Sequence, residues 1–193
     1  RDWFKACFLF PVLRNHTIIN SRPQEPWAFD NETLRILRRY ICLRYRLRPY
    51  LYQLFIGQEE TGDAILRPLF YDFKSTKKQQ LEEIDDQFMV GPSLLQAPFV
   101  EENLRTRKVT LPTGADWLDI ATGKWRKGGT FASVRASEMD TPLYLRSNSI
   151  LPLARLGEKD HQFKPAEIDF HIFLRSGNST TSVYHFDDGE SFD

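Results

Sequence analysis

The sequence predicts two unlike parts: an α/β segment up to about residue 90 and an all-β sandwich after it. Two observations carry this. Over residues 1–90, apolar runs of strand length alternate with runs of helical period, as in a parallel sheet or barrel. Over 91–193, short β-type runs alternate with turn clusters, as in an antiparallel sandwich. The chain has 193 residues, 41% hydrophobic and 13% aromatic, enough for a real core.

Residues 6 to 13, "ACFLFPVL", read as a buried strand, with Pro11 tolerated near its end or at a bulge. The run breaks into Arg14, Asn15 and His16. Residues 31 to 56 read as a long helix capped by Asp30 or Asn31. Its apolar face is Ile36, Tyr40, Leu43, Leu47, Tyr50, Leu51 and Leu54. Pro49 should kink or split it, and Gly57 and Gly62 are the expected stops. Residues 64 to 73 read as another apolar strand, and 76 to 86 as a shorter helix. After residue 90 come "LLQAPFV", "RKVTLP", "DWLDI", "GTFASV", "PLYLR", "SILPLA", "IDFHIFLR" and "TSVYHF", separated by turn residues such as Gly128-Gly129, Gly177-Asn178 and Asp188-Gly189. Both ends read as cut, so the expectation is a segment of a longer protein.

Charge and composition exclude several classes. Twenty-six basic and 26 acidic side chains cancel, which argues against a nucleic-acid or membrane partner. No apolar run approaches membrane-spanning length. Cys7 and Cys42 cannot make a disulfide scaffold and fit a reducing, cytoplasmic setting. The arginines Arg35, Arg38, Arg39, Arg44, Arg46 and Arg48 fit the outer face of an amphipathic helix. No Gly-rich phosphate loop or GxSxG elbow is present. The acidic pairs Glu82-Glu83, Asp85-Asp86 and Asp187-Asp188 fit a solvated face or turn. The histidines His16, His161, His171 and His185 share no metal-ligand spacing. His16 stands apart because it directly follows an apolar run, although spacing alone fits a structural role as well. Asn15, Asn31 and Asn178 head N-x-S/T triplets, which matter only in a secreted protein.

Several blocks together are more specific than any one. "FPVLRNHTIINSRPQEPW" resembles glycoside hydrolase family 31, the α-glucosidase and α-xylosidase group. "LRYRLRPYLYQLF", "LRPLFYDF", "DQFMVGPSLLQAPF", "RKVTLPTGADWLDIATGKW", "PLYLRSNSILPLA" and "FDDGES" resemble further blocks of that family in the same order. The resemblance implies that residues 1–90 are the last strands and helices of a (β/α)8 barrel and that 91–193 form the proximal β-sandwich, running into the start of a distal β-domain. It implies that His16 contacts the sugar in the cleavage subsite, with Asn15 at the barrel mouth. Cys7-Phe8-Leu9 departs from the Gly-Ala-Phe common in the family. The family's two catalytic aspartates, and an arginine that holds the sugar, belong to segments with no counterpart here. Gly62-Asp63 lies on the wrong side of His16 to be the acid. Retaining chemistry needs two carboxyl groups about 5 Å apart. The expected function is therefore a segment of a retaining, α-glucosidase-like enzyme. It acts on α-linked oligosaccharides or glucosides, contributes His16, implies no cofactor or metal, and works with the N-terminal barrel portion of the same protein. The other reading is a non-catalytic carbohydrate-binding or structural sandwich, with Trp117 and Trp125 as candidate stacking platforms.

Overall fold

The computed structural model describes residues 1–156, 167–175 and 179–187. Helices come first: α1 spans Asp2–Cys7, α2 Asn31–Arg46 and α3 Arg48–Thr61. Asp30 caps α2, accepting from the Thr33 amide at 2.8 Å and the Thr33 hydroxyl at 2.9 Å. The long helix read over 31–56 divides at Leu47, and Pro49 falls in the first turn of α3, where its missing N–H costs nothing. Gly62 ends α3 in the left-handed conformation, φ 78°. The helix runs through Gly57, the other expected stop.

The strands follow: β1 Leu66–Pro68, β2 Phe88–Val90, β3 Leu94–Gln96, β4 Thr106–Leu111, β5 Trp117–Asp119, β6 Lys124–Arg126, β7 Thr130–Arg135, β8 Leu143–Arg146, β9 Ser149–Ala154 and β10 Ile168–Phe173. A one-turn helix, α4 Leu69–Asp72, follows β1. Six strands form one sheet in the order β1-β2-β3-β8-β5-β6, while β4 pairs with β7 and β9 with β10. Every pairing is antiparallel.

The alternation of side chains along a strand divides the core in two. Val90, Leu94, Leu143 and Leu145 point to one face of the large sheet and pack with Phe8, Ile36, Tyr40, Tyr50 and Leu51 of the helical part. Their neighbours Met89, Leu95 and Tyr144 point to the other face and pack with Trp117 and with Val109, Leu111 and Ala132 of the β4–β7 pair. The central strands are buried on both faces, which is why they read as continuous apolar runs rather than as alternating ones. The division expected near residue 90 falls between β2 and β3, two strands of one sheet.

The barrel-end-plus-sandwich description holds, with corrections to its elements. Residues 6–13 are not a strand: α1 ends at Cys7, and a turn follows in which the Phe10 amide donates to Cys7 O at 2.8 Å. The carbonyls a ladder would use there are taken by side chains, and Pro11 has no N–H to give. The apolar run 64–73 yields only β1 before α4, and β1 pairs antiparallel with β2 as an edge of the sandwich sheet. Pro68 is tolerable on such an edge. No α-helix forms over 76–86. Gln79 Nε2 bonds Leu111 O and Thr130 O, and Gln87 pairs with the Thr110 backbone, so the segment is laid along the β4–β7 pair. "TSVYHF" forms no strand among its described residues; Tyr184 donates to Ile150 O and His185 exchanges two backbone bonds with the Gln53 amide group.

Candidate functional site

The site centres on the chain between α1 and α2, which carries His16. Its root is fixed before its tip is free. Gln96 of β3 is fully buried, and its amide donates to Lys5 O at 2.8 Å and Ala6 O at 3.1 Å in the last turn of α1. Arg44 of α2 donates to the next ones: Nη1 to Phe8 O at 2.8 Å and Phe10 O at 2.6 Å, and Nη2 to Pro11 O at 3.0 Å. Phe8 packs edge-on against Tyr40 at 4.8 Å, and Phe10 against Phe88 at 5.8 Å. Leu13 still touches the core beside the helices.

Beyond Leu13 the chain runs out into solvent. Arg14, Asn15 and His16 are exposed in an extended stretch, not at the end of a strand. The Asn15 side chain donates to Gln24 O at 2.8 Å and closes the excursion. Asn20 takes the left-handed conformation that the turn back requires, φ 66°. The geometry is a tethered loop with an imidazole near its base. It suits contact with a polar ligand.

Several of the remaining candidates that are described hold parts of the fold together. Asp63 accepts from Tyr71 at 2.8 Å and lies 3.6 Å from Arg67. Asp86 pairs with Arg107 at 2.5 Å, Glu82 accepts from Ser75, and Asp187 from Tyr52; Asp188 lies outside the described residues. His171 stacks on Phe173 in β10, and His161 lies outside the described residues, as does Asn178. Trp117 is fully buried and donates to Pro112 O at 3.0 Å, so it presents no sugar-stacking face. Trp125 is half-buried, with the Arg175 guanidinium 5.2 Å over its ring. Among the described residues, no three His, Cys, Asp or Glu side chains gather as a metal site, and no helix is long and apolar enough to cross a membrane.

Arg44 is the residue sequence reasoning misplaced. Its spacing sets it among outward-facing arginines, yet it is half-buried and bonded to the backbone. Burial lowers the pKa of its guanidinium from the ordinary value, although an arginine stays charged at any pH of interest. By contrast Arg39 does face outward, paired with Asp140 at 2.6 Å.

Comparison with known proteins shows the family. Residues 1–54 match the model of the glycosyl hydrolases family 31 TIM-barrel domain, and residues 62–151 that of the glycosyl hydrolase family 31 C-terminal domain. Alpha-glucosidase 2 of Bacillus thermoamyloliquefaciens is 32% identical over 190 residues, covering 98% of this chain and 24% of that protein. An alpha-xylosidase of Saccharolobus solfataricus is 36% identical over 151 residues, covering 78% of this chain and 20% of that protein. The solved structure of a Flavobacterium johnsoniae dextranase mutant complexed with isomaltotriose superposes with TM-score 0.78 at 33% identity, covering 87% of this chain and 21% of that one. The chain thus spans about a quarter or less of the length of these relatives.

Proposed function

The chain belongs to glycosyl hydrolase family 31, as a segment joining the end of the catalytic barrel to the C-terminal domain, and from this we propose that it serves a retaining α-glycosidase of α-glucosidase type. In this reading His16 donates or accepts a hydrogen bond at a sugar hydroxyl in the cleavage subsite. The catalytic acid and nucleophile come from elsewhere in the parent protein. Terminal α-linked glucose is the substrate group. The observation that carries the reading is the exposed His16 on a loop whose root is fixed by Arg44 and whose excursion is closed by Asn15. A contact of this kind gains strength as the ring flattens toward the oxocarbenium-like state.

Removing one transition-state donor costs about 2–4 kcal/mol. In the full-length parent enzyme, His16→Ala should lower kcat/KM by about 30-fold to about 1000-fold, with kcat carrying part of the loss. Because His16 is exposed, the melting temperature should hardly move. A destabilised variant with normal kinetics per folded molecule would remove His16 from the site. The 193-residue chain by itself is expected to leave a chromogenic α-glucoside intact, since none of its acids resembles the family's catalytic pair. Turnover that survives stringent purification would contradict that.

A further inference from the structure

We propose that Arg44 is a positioning residue for the substrate contact, holding the loop that carries His16 in its binding geometry. The inference rests on the reading of His16 as a sugar contact. Three carbonyls within four residues, those of Phe8, Phe10 and Pro11, converge on one guanidinium at 2.6–3.0 Å. Nothing else in the described backbone supplies ladder bonds to this turn; α1 has ended and no strand pairs with it. The donor comes from a different element, 33 to 36 residues away in sequence. Arg44 therefore ties α2, a sixteen-residue helix packed on the sheet, to carbonyls that no strand ladder holds.

The planar fork is what this role requires. Two nitrogens in fixed relation address three acceptors at once, whereas an ammonium on a flexible stem cannot hold the same spread. Pre-organisation of this kind acts on rate through geometry, because a contact displaced by about 1 Å costs on the order of 100-fold. Two further anchors lie between Arg44 and the imidazole: Leu13 on the core and Asn15 on Gln24 O. Losing Arg44 should therefore cost less than losing His16 itself.

The test is a double-mutant cycle in the full-length parent enzyme, assayed on a chromogenic α-glucoside with the folded fraction quantified. Arg44→Met should lower kcat/KM about tenfold or more, and Arg44→Lys less. In a His16→Ala background neither substitution should lower it further, because the residue being positioned is gone. If Arg44→Met does not fold, Arg44→Lys carries the same cycle. Losses that add to that of His16→Ala would overturn the positioning role while leaving the His16 reading intact. A lowered melting temperature with normal kcat/KM per folded molecule would do so too. A kinetically normal His16→Ala overturns both and shows that the reading of the site failed first.

Discussion

Asp30 serves two neighbours at once. Its carboxylate accepts the Thr33 amide and hydroxyl that open α2, and the Arg1 guanidinium lies 3.2 Å away. The Thr33 amide bond, then the Thr33 hydroxyl, and after them Arg1, hold its pKa at about 2. Folding therefore favours the ionised form. The sign follows: the stabilisation is fully present above the unfolded value, about 4, and is lost as the pH falls through about 2. Asn also caps a helix, so Asp30→Asn keeps the geometry without the charge. Urea midpoints of the two proteins should differ by a constant amount above about pH 5 and converge between about pH 4 and pH 2. A difference that ignores pH would mean the carboxylate is not acting as one. The cap was legible because Asp30 precedes a run of helical period. His16 stands out in the sequence by its place after an apolar run and by the family resemblance, and the structure leaves it exposed. Arg44 does not, since its spacing along α2 equals that of its solvent-facing neighbours, and its acceptors are set by the tertiary fold.

The joint between α3 and the sheet rests on few groups. Tyr50 donates to Val90 O at 2.7 Å and accepts from Ser93 N at 3.3 Å, and its burial raises the phenol pKa. Between them, Gly91 turns the chain from β2 to β3 at φ 57°, where an added Cβ would lie 2.4 Å from Leu54 Cδ2 and 2.7 Å from the Tyr50 hydroxyl. Tyr50→Phe leaves both backbone groups buried without that partner and should cost about 1–3 kcal/mol in urea unfolding. Gly91→Ala should cost more than Gly62→Ala. Both positions are left-handed, but nothing lies within 4 Å of a Cβ at Gly62. Equal losses would show that the α3–sheet contact is loose enough to absorb a methyl group. The long helical stretch of α2 and α3 and the longer strands were legible because period and capping are local. β1 and β6 are three residues each, too short to show alternation. The helix read over 76–86 failed for another reason: the Gln79 and Gln87 amides find partners only in strands far along the chain.

In the whole chain the large sheet is covered on both faces, by the helices and by the β4–β7 pair. The loop that carries His16 is not. Ile18 is 80% exposed, Ile19 88% and Trp27 73%. Single exposed apolar side chains are ordinary, but several on one connection between two helices mark an interaction surface. Neither composition nor charge pattern reveals this, because exposure is a property of the assembled fold. The rest of the parent barrel is the partner we propose for this surface. The 193-residue chain alone should therefore self-associate through it, with a sedimentation coefficient that rises with concentration. Replacing Ile18 and Ile19 together by Lys should shift the population toward monomer. It should change unfolding stability by no more than about 0.5 kcal/mol, as for surface sites that pack on nothing. If the wild-type chain stays monomeric across the concentration range, the loop is not a contact surface. If the double variant associates as strongly as the wild type, the contact lies elsewhere, and the exposed face of α1 with Trp3, itself 73% exposed, becomes the next surface to test.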